Sequence, residues 1–288
     1  MTGAFPEIRW YLLIATAVLC PAVLHAAETA ERPKLDVPFV PTNQQTVDAM
    51  LRVANVGPND FVIDLGSGDG RILITAAKQR GARGFGVDID PQRVSEAVEN
   101  AKAAGVSDRV RFFRRNLFET KIAEATVVTL YLLPRVNVEL RPRLLAELKP
   151  GTRVVSHDFD MGDWQADLRV SVRGAGSEVY FWVIPARVAG RWQVKAEAPR
   201  GRQSFEVEFK QKYQELEATV RGFERPAVVR DARIDGDRLL FTVVDDADFA
   251  HRVRYEGTVS GNAISGLLRG DGSAPRGEHK WRAVTAAP

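Results

Sequence analysis

The sequence is poor in the residues that build disulfides and metal centres. Among 288 residues there is one cysteine, Cys20, and the four histidines are His25, His157, His251 and His279. A single thiol excludes both a disulfide framework and a zinc site made of several thiolates. Four dispersed histidines form a metal site only with distant carboxylates, so no metal is predicted.

The sequence also has little excess of either charge sign and few long apolar runs. The 40 basic residues face 37 acidic ones, which leaves a net charge of +3 without a long basic run. This balance predicts no nucleic-acid partner. A composition of 45% hydrophobic and 27% charged residues is typical of a globular protein and excludes a disordered or polytopic membrane chain.

The apolar stretch at residues 10–24 predicts an export signal. It has about 15 residues, fewer than the ~20 that a membrane-spanning helix needs. Arg9 precedes it, and the small residues Ala26 and Ala27 follow it, as in a secretory signal peptide that is cleaved near those alanines. We therefore predict a signal peptide over residues 1–27 and a periplasmic protein. The alternative is an uncleaved, membrane-associated N-terminus with the remaining chain facing the cytoplasm.

Two regions with different sequence patterns follow a linker at residues 28–45. Over residues 46–186, apolar strands such as 61–65, 125–133 and 152–159 alternate with helical periods, which predicts βαβ units and a parallel sheet covered by helices on both faces. From residue 187 onward, stretches of period 2 lie between turn signals. They predict roughly six to eight strands in a small antiparallel barrel or sandwich at 187–288.

In this second region, Phe205, Val207 and Phe209 lie on one face of a predicted strand. We interpret this stripe as part of the core of the all-β domain, because alternate residues of a strand point to the same side.

Glycines 66, 68 and 70 follow the first predicted strand and precede a helix, and Asp64 lies two residues before the first of them. Glycines allow a ligand to approach the backbone closely. Dinucleotide folds use the spacing G-x-G-x-x-G, whereas this loop is G-x-G-x-G. A carboxylate here repels a pyrophosphate but suits a ligand with an ammonium and a sulfonium group. The loop therefore predicts S-adenosylmethionine and disfavours an NAD-dependent oxidoreductase.

Polar side chains end the next two strands as well. Asp88 ends the second strand, where a carboxylate can accept hydrogen bonds from both ribose hydroxyls. Asn116 follows the third strand and can accept a hydrogen bond from an adenine amine, or it can cap a turn. Because open α/β sheets bind ligands at the carboxyl ends of their strands, we expect these groups to share one cleft.

Residues 36–186 resemble the seven-strand class I S-adenosylmethionine-dependent methyltransferases, and within them the protein lysine methyltransferases related to the ATP synthase c-subunit enzyme. The segments that carry the resemblance are PFVPT (38–42), DLGSGDGR (64–71), NLFE (116–119), LYLLP (130–134) and RVVSHDF (153–159).

The resemblance implies a Rossmann-like seven-strand sheet and a role for each matching residue. It implies that Asp64 and the three glycines contact the methionine part of the cofactor and that Asp88 contacts the ribose. The family usually has aspartate where this chain has Asn116. In the lysine methyltransferases the PFVPT segment resembles a lid, which implies a contact between Thr42 and the cofactor.

Three polar residues are candidates for the acceptor side. Tyr131 ends the fourth predicted strand, and His157 and Asp158 end the fifth, where class I enzymes place groups that face the substrate. We predict that they orient the acceptor amine. Alternatively, Tyr131 is a buried strand end, and His157 is held structurally by hydrogen bonds. Direct methyl transfer needs no covalent enzyme intermediate, which agrees with the absence of a Ser-His or Cys-His arrangement in the sequence.

Together these features predict an S-adenosylmethionine-dependent methyltransferase that N-methylates a lysine of a protein substrate. The alternative is an exported, non-catalytic scaffold that binds an adenosine-type ligand in the glycine loop and a partner through its β domain. Because a scaffold without turnover has no need to retain three glycines and two acids, the intact loop disfavours this alternative. The sequence does not define the oligomeric state.

Overall fold

The computed structural model describes residues 1–3, 39–198, 201–223, 225–272 and 277–286. Most of the predicted signal peptide and most of the linker lie outside these residues. Contacts divide the chain into two units, Met1–Arg32 and Pro33–Pro288, and the fold described below belongs to the second. No helix within the described residues has the length and apolarity needed to span a membrane.

The second unit begins with an α/β region and ends with a β region. In chain order its elements are α1 (Gln44–Val53), β1 (Phe61–Leu65), α2 (Arg71–Arg80), β2 (Arg83–Asp88), α3 (Pro91–Ala103), β3 (Val110–Arg114), a 3₁₀ turn (Leu117–Glu119), β4 (Val127–Leu130), α4 (Pro134–Glu147), β5 (Arg153–His157), β6 (Leu168–Val172), β7 (Ser177–Val183), β8 (Gly190–Ala198), β9 (Gly201–Lys212), β10 (Glu215–Arg221), β11 (Ala227–Asp235), β12 (Arg238–Asp245), β13 (His251–Ser260), β14 (Ala263–Gly272) and β15 (Glu278–Thr285).

Local signals in the sequence set the helix starts. The side chain of Asn43 accepts a hydrogen bond from the backbone N–H of Thr46 and caps α1. The side chain of Asp90 caps α3 in the same way, and Pro91 occupies the first turn. Such caps satisfy backbone donors that have no partner inside the helix. Both helices therefore begin directly after a residue whose side chain favours a helix start.

The first seven strands form one sheet with the order β3-β2-β1-β4-β5-β7-β6. Strands β1 to β5 are parallel, as predicted, whereas β7 is antiparallel to both β5 and β6. The expectation of a wholly parallel sheet is therefore wrong at this edge. A short turn that contains Gly174 and Gly176 joins β6 to β7, and a turn of this length connects only antiparallel neighbours.

The sheet is covered on both faces. Helices α1, α2 and α3 pack on one side around residues such as Val47, Leu73 and Ala97. Helix α4 covers the other side, where Leu140 and Leu144 pack in the same cluster as the buried tryptophans of the later strands and loops. Because the strand order reverses direction between β1 and β4, the carboxyl ends of these two strands border a crevice of the kind in which open α/β sheets bind ligands.

The last eight strands close into a barrel in which each strand is antiparallel to both neighbours. The predicted stripe is confirmed as core, since Phe205, Val207 and Phe209 are 3%, 1% and 2% exposed. Phe241 and Tyr255 stack inside the barrel at 4.8 Å between ring centroids. An interior of eight strands is just wide enough to be filled by side chains, so this barrel has a packed core.

Candidate cofactor and acceptor site

A cleft lies at the carboxyl ends of β1, β2 and β4, with a cavity volume of about 200 Å³. Its wall includes six of the residues that the sequence predicts for the site. These are Thr42, Gly66, Gly68, Asp88, Asn116 and Tyr131. The structure thus brings the predicted cofactor side and part of the predicted acceptor side into one cleft.

Gly66 and Gly68 of the glycine loop form part of one wall with their backbone, whereas Gly70 lies outside the lining and next to Phe112 and Ala97. Gly66, Gly68 and Gly70 have φ angles of +83°, +52° and +81°, a left-handed conformation that side chains disfavour. The N–H groups of Gly66 and Ser67 both donate to the carbonyl oxygen of Val87 at 2.9 Å, which fixes the loop against β2. A Cβ atom on Gly68 would lie 2.5 Å from the Phe39 ring, so only glycine fits there.

Asp88 connects the glycine loop to the start of α3. One carboxylate oxygen accepts the N–H of Gly68 at 2.9 Å, and the other accepts the N–H of Asp90 at 2.9 Å. Each oxygen of a carboxylate can accept more than one hydrogen bond. The side chain therefore lines the cleft in a fixed orientation and retains acceptor capacity toward it.

Asp64 lies beneath the glycine loop rather than in the cleft wall. Its side chain is 1% exposed, and its Oδ1 accepts the Thr129 hydroxyl at 2.6 Å. Its Oδ2 is buried without a hydrogen-bond partner among the described residues. Burial raises the pKa of Asp64 to about 7, against the smaller opposite effect of the Thr129 hydrogen bond, and Asp88 and Asp69 raise it further. Buried polar atoms nearly always have a hydrogen-bond partner, so this oxygen has room for a donor that a ligand such as an ammonium group can supply.

Asn116 has both properties that the sequence suggests. It lines the cleft, and its side-chain oxygen accepts the backbone N–H of Phe118 at 2.9 Å, which caps the 3₁₀ turn. The hydrogen bond orients the amide group, whose second lone pair and NH₂ group have further hydrogen-bonding capacity. Capping and a contact to a ligand are therefore compatible at this position.

The segment 39–42 covers the cleft and is held at both ends. The Phe39 ring lies on Gly68, and the guanidinium of Arg93 stacks over that ring at 4.5 Å from its centroid. Arg71 donates to the carbonyl oxygen of Thr42 at 2.8 Å. Thr42 itself is 3% exposed. We call residues 39–42 the cover segment.

On the acceptor side, Tyr131 and His157 stack with ring centroids 3.8 Å apart, and Phe159 stacks on the other face of the cluster at 6.3 Å from Tyr131. Tyr131 and Phe159 line the cleft. The Thr42 hydroxyl lies 3.1 Å from Nδ1 of His157, which links the cover segment to the end of β5. His157 is 3% exposed and therefore stands behind Tyr131.

Asp158 points away from the cleft wall. Its backbone has a φ of +60°, and it exchanges two hydrogen bonds with Glu178 of β7, both 2.7 Å long. Its Oδ2 lies 3.3 Å from Nε2 of His157, in a geometry that leaves this nitrogen without a hydrogen-bond partner among the described residues. The structure thus places Asp158 as a neighbour of His157 and outside the lining of the cleft.

Burial keeps the side chains of His157 and Tyr131 neutral near pH 7. Desolvation lowers the pKa of His157, against the opposite effect of the Asp158 charge. Desolvation also raises the pKa of Tyr131, and the Asp158 charge raises it further. A neutral imidazole behind a neutral phenol gives the cleft a wall that is aromatic and carries no charge of its own.

The cleft residues that were not predicted from the sequence include Phe39, Ser67, Arg93 and Phe159. Phe39 and Phe159 lie within the segments that carry the family resemblance, next to predicted residues, and this proximity was the available signal. The buried Oγ of Ser67 has no hydrogen-bond partner among the described residues. Arg93 follows the α3 cap by three residues, and nothing in its sequence context distinguishes it from a surface arginine.

These residues fit S-adenosylmethionine. The left-handed glycine backbone leaves room for a ligand, the orphaned Oδ2 of Asp64 suits an ammonium group, and Asp88 offers oxygens to hydroxyl groups. A sheet with the order 3-2-1-4-5-7-6, an antiparallel β7 and such a loop after β1 defines a class I S-adenosylmethionine-dependent methyltransferase.

Comparisons with known proteins agree with this class. A family model described as the ANTKMT methyltransferase domain matches residues 64–168. Protein-lysine N-methyltransferase from Saccharolobus islandicus is 46% identical over 151 residues, which make up 51% of this chain and 94% of that protein. Adenine nucleotide translocase lysine N-methyltransferase from Mus musculus is 37% identical over 146 residues, which make up 50% of this chain and 62% of the mouse protein.

A solved structure is similar over the same share of the chain. The crystal structure of an RNA methyltransferase from Salinibacter ruber, in complex with S-adenosyl-L-homocysteine, has 56% sequence identity and a TM-score of 0.50. The match covers 52% of this chain and 96% of that chain.

This chain belongs to the class I S-adenosylmethionine-dependent methyltransferases, in the family of the S. islandicus protein-lysine N-methyltransferase. The resemblance found in the sequence is thereby confirmed, and S-adenosylmethionine is the cofactor. About half of this chain matches nearly the whole of the S. islandicus and S. ruber proteins, so these relatives have no room for a second domain of this barrel's size. The chain spans about three fifths of the mouse protein.

Proposed function

We propose that this enzyme methylates the side-chain amine of a lysine in a protein substrate. The observation that carries the proposal is the 46% identity to a protein-lysine N-methyltransferase that is matched over 94% of its length. The mouse relative is likewise named as a lysine N-methyltransferase. The geometry of the cleft supports the proposal on both the cofactor side and the acceptor side.

On the cofactor side, three polar groups hold the ligand. Asp64 accepts from the ammonium group through Oδ2, the oxygen that Thr129 leaves free. Asp88 accepts from the ribose hydroxyls, since its oxygens are already oriented by the N–H groups of Gly68 and Asp90. Asn116 contacts the adenine, and the cover segment closes over the ligand through Thr42. When bound, S-adenosylmethionine supplies a methyl group on a positively charged sulfur.

On the acceptor side, Tyr131 and Phe159 line the cleft and receive the lysine, while His157 supports Tyr131 from behind. Their stacked rings form a wall for its aliphatic chain. An amine that enters an apolar, partly dry site loses its proton more readily, because burial disfavours the charged form. Bound S-adenosylmethionine would supply its methyl group to the nitrogen lone pair, and the C–S bond would break with its electron pair left on sulfur. Holding the amine in line with that bond can lower the activation barrier of the methyl transfer by ~7–11 kcal/mol.

The experiment that tests the proposal is methyl transfer from an isotope-labelled donor. Cell-envelope and cytosolic extracts are incubated with the purified enzyme, and the labelled product is identified by mass spectrometry. We expect the label on lysine of a protein, and no label with the Asp88→Ala variant, whose cofactor site is damaged. Because the S. ruber relative is described as an RNA methyltransferase, RNA is analysed in the same samples. Label on RNA alone would overturn the proposal.

A non-catalytic scaffold is not favoured, because the comparisons place the chain among enzymes. We also propose that the protein acts outside the cytoplasm, on the basis of the apolar stretch at residues 10–24 and the small residues after it. A phosphatase fused to the C-terminus should be active if the chain is exported. An inactive fusion would favour the anchored form that faces the cytoplasm.

A further inference from the structure

One of the contacts between the barrel and the catalytic domain lies at the loop that follows β5. This loop, residues 158–167, runs from the end of β5 to the start of β6, and we call it the post-β5 loop. Its residue Phe159 lines the cleft and stacks with Tyr131 at 6.3 Å. The position of the loop therefore sets the position of one wall of the acceptor side.

The contact is made by the turn between β9 and β10. Tyr213 occupies this turn with a φ of +57°. Its ring stacks on Trp164 at 5.7 Å between centroids with an interplanar angle of 26°. Gln214 accepts the indole N–H of Trp164 at 2.8 Å and donates to the carbonyl oxygen of Gln165 at 2.8 Å. Trp164 is fully buried by these contacts and by Trp182.

An ion cluster closes the same contact. Asp163 of the post-β5 loop accepts the Tyr213 hydroxyl at 3.1 Å and lies 3.2 Å from the Lys212 ammonium. Arg141 of α4 pairs with the same carboxylate at 2.6 Å. Hydrogen bonds from Lys212 and Tyr213 hold the pKa of Asp163 at about 2, so the carboxylate stays charged throughout the physiological pH range.

The catalytic domain holds the other end of the loop. The side-chain amide of Asn137 donates to the carbonyl oxygens of Phe159 and Asp160 at 3.1 and 3.2 Å, and Arg141 donates to that of Met161 at 2.6 Å. Helix α4 therefore fixes the first half of the loop, and the barrel turn fixes the second half. The S. islandicus relative is matched over 94% of its length by half of this chain and so lacks room for a barrel of this size.

We propose that the β9–β10 turn is a positioning element of the methyl-transfer site: Tyr213 and Gln214 hold the post-β5 loop so that Phe159 shapes the acceptor side of the cleft. The inference rests on the proposed function, because it concerns the wall that receives the acceptor. The turn touches neither the glycine loop nor Asp88 in any contact that the described residues show. Its effect is therefore on the acceptor and not on cofactor binding.

The test uses the full chain with Tyr213→Ala and Gln214→Ala combined. We expect kcat/KM for the acceptor to fall at least tenfold, while the Kd for S-adenosylhomocysteine changes less than twofold. Hydrogen exchange of residues 158–167 should become faster, with the glycine loop unchanged. Tyr213→Phe keeps the ring stack and should restore most of the activity. Asn262→Ala, on the exposed turn between β13 and β14, is the matched control and should behave as wild type.

Two results would overturn the inference. Wild-type kcat/KM in the double variant, despite faster exchange of the loop, would show that the turn is structural only. A parallel loss of cofactor affinity and activity would show general damage to the domain. Hydrogen exchange needs no acceptor and therefore tests the contact independently of the proposed function. If the proposed function is wrong, the wild type labels no protein lysine, but residues 158–167 still exchange more slowly in the wild type than in the double variant.

Discussion

At the residue scale, the site depends on the depth at which each carboxylate lies. Asp88 reaches the cleft, whereas Asp64 is buried below the glycine loop with one orphaned oxygen. Spacing in the sequence placed both acids at strand ends but could not give their depth, because depth depends on how Thr129 of β4 pairs with Asp64 across the sheet. Similarly, the sequence left Asn116 between two roles, and the structure shows that a cap and a position in the cleft coexist.

Asp64→Asn should change how stability depends on pH. In the folded protein burial raises the pKa of Asp64 from 3.8 to about 7. Between these values the folded protein keeps a proton that the unfolded chain has lost, so the stability that wild-type Asp64 contributes falls as pH rises. The total is on the order of 4 kcal/mol. Urea unfolding should show the variant gaining about this much relative to wild type between pH 4 and pH 8. A constant difference would contradict the assignment.

The same variant should bind the cofactor more weakly. Asparagine keeps an acceptor for Thr129 but removes the charge that faces an ammonium group, and loss of one partner of a buried ion pair costs ~3 kcal/mol or more. We expect the Kd for S-adenosylhomocysteine at pH 7.5 to rise by about 100-fold, measured by calorimetry. Unchanged affinity would show that the ammonium group of the cofactor does not bind at Asp64.

His157→Asn should remove part of the acid sensitivity of the fold. Desolvation lowers the pKa of His157 in the folded protein, so the unfolded chain binds a proton first as pH falls. Stability is therefore fully present above about pH 6.5, the ordinary histidine value, and is lost as pH falls below it. Thermal unfolding between pH 5 and pH 7 should depend less on pH in the variant than in wild type. An equal dependence would mean that His157 does not contribute.

At the scale of elements, strand positions followed from the sequence more closely than strand lengths did. The apolar run at 125–133 predicted one long strand, but β4 covers only Val127–Leu130. Leu132, which follows it, is 2% exposed and packs in the core from a loop. Periodicity cannot separate these cases, since a buried loop residue and a buried strand residue are equally apolar. The cover segment was recognisable only by resemblance, because its partners Gly68 and His157 are distant in sequence.

Arg71→Ala should loosen the cover segment. The guanidinium donates to the carbonyl oxygen of Thr42 at 2.8 Å and pairs with Asp69 at 2.6 Å, so it joins the start of α2 to the cover segment. Hydrogen bonds to charged groups contribute ~1.5–3 kcal/mol. We expect S-adenosylhomocysteine to dissociate about tenfold faster, as measured by stopped-flow fluorescence. Arg71→Lys keeps the charge, so its dissociation rate should lie between those of wild type and Arg71→Ala. Identical dissociation rates in the Arg71→Ala variant and wild type would show that the cover segment does not retain the cofactor.

At the scale of the whole molecule, two cores are joined by a polar and aromatic contact. The sequence predicted the change of pattern near residue 187 and an all-β domain beyond it, because local alternation is visible in any strand. It could not predict closure of the barrel, which requires pairing between β9 and β10 together with β8 and β15. Nor could it predict that Trp164 packs on Tyr213, about 50 residues later, since long-range contacts leave no local pattern.

Calorimetry should resolve the two cores. A ligand stabilises only the domain that binds it, by ~2.7 kcal/mol at 100 times its Kd. In the Tyr213→Ala and Gln214→Ala double variant, we expect two thermal transitions, of which S-adenosylhomocysteine raises only one. In wild type, the contact at Trp164 should bring the transitions closer together. A single transition in the double variant, shifted as a whole by the ligand, would show that the two domains unfold as one.

Closure of the barrel restricts how it can meet other molecules. Every barrel strand in the described residues has a neighbour on both sides, although β10 and β11 pair only at Glu215 and Arg233, so most backbone N–H and C=O groups of the other strands are used internally. Recognition by addition of a β-strand needs an open edge, and in the described fold the open edges belong to β3 and β6 of the catalytic sheet. A protein that docks on the barrel therefore contacts mainly its outward-pointing side chains, and β3 and β6 are the fully open edges that an added strand could pair with.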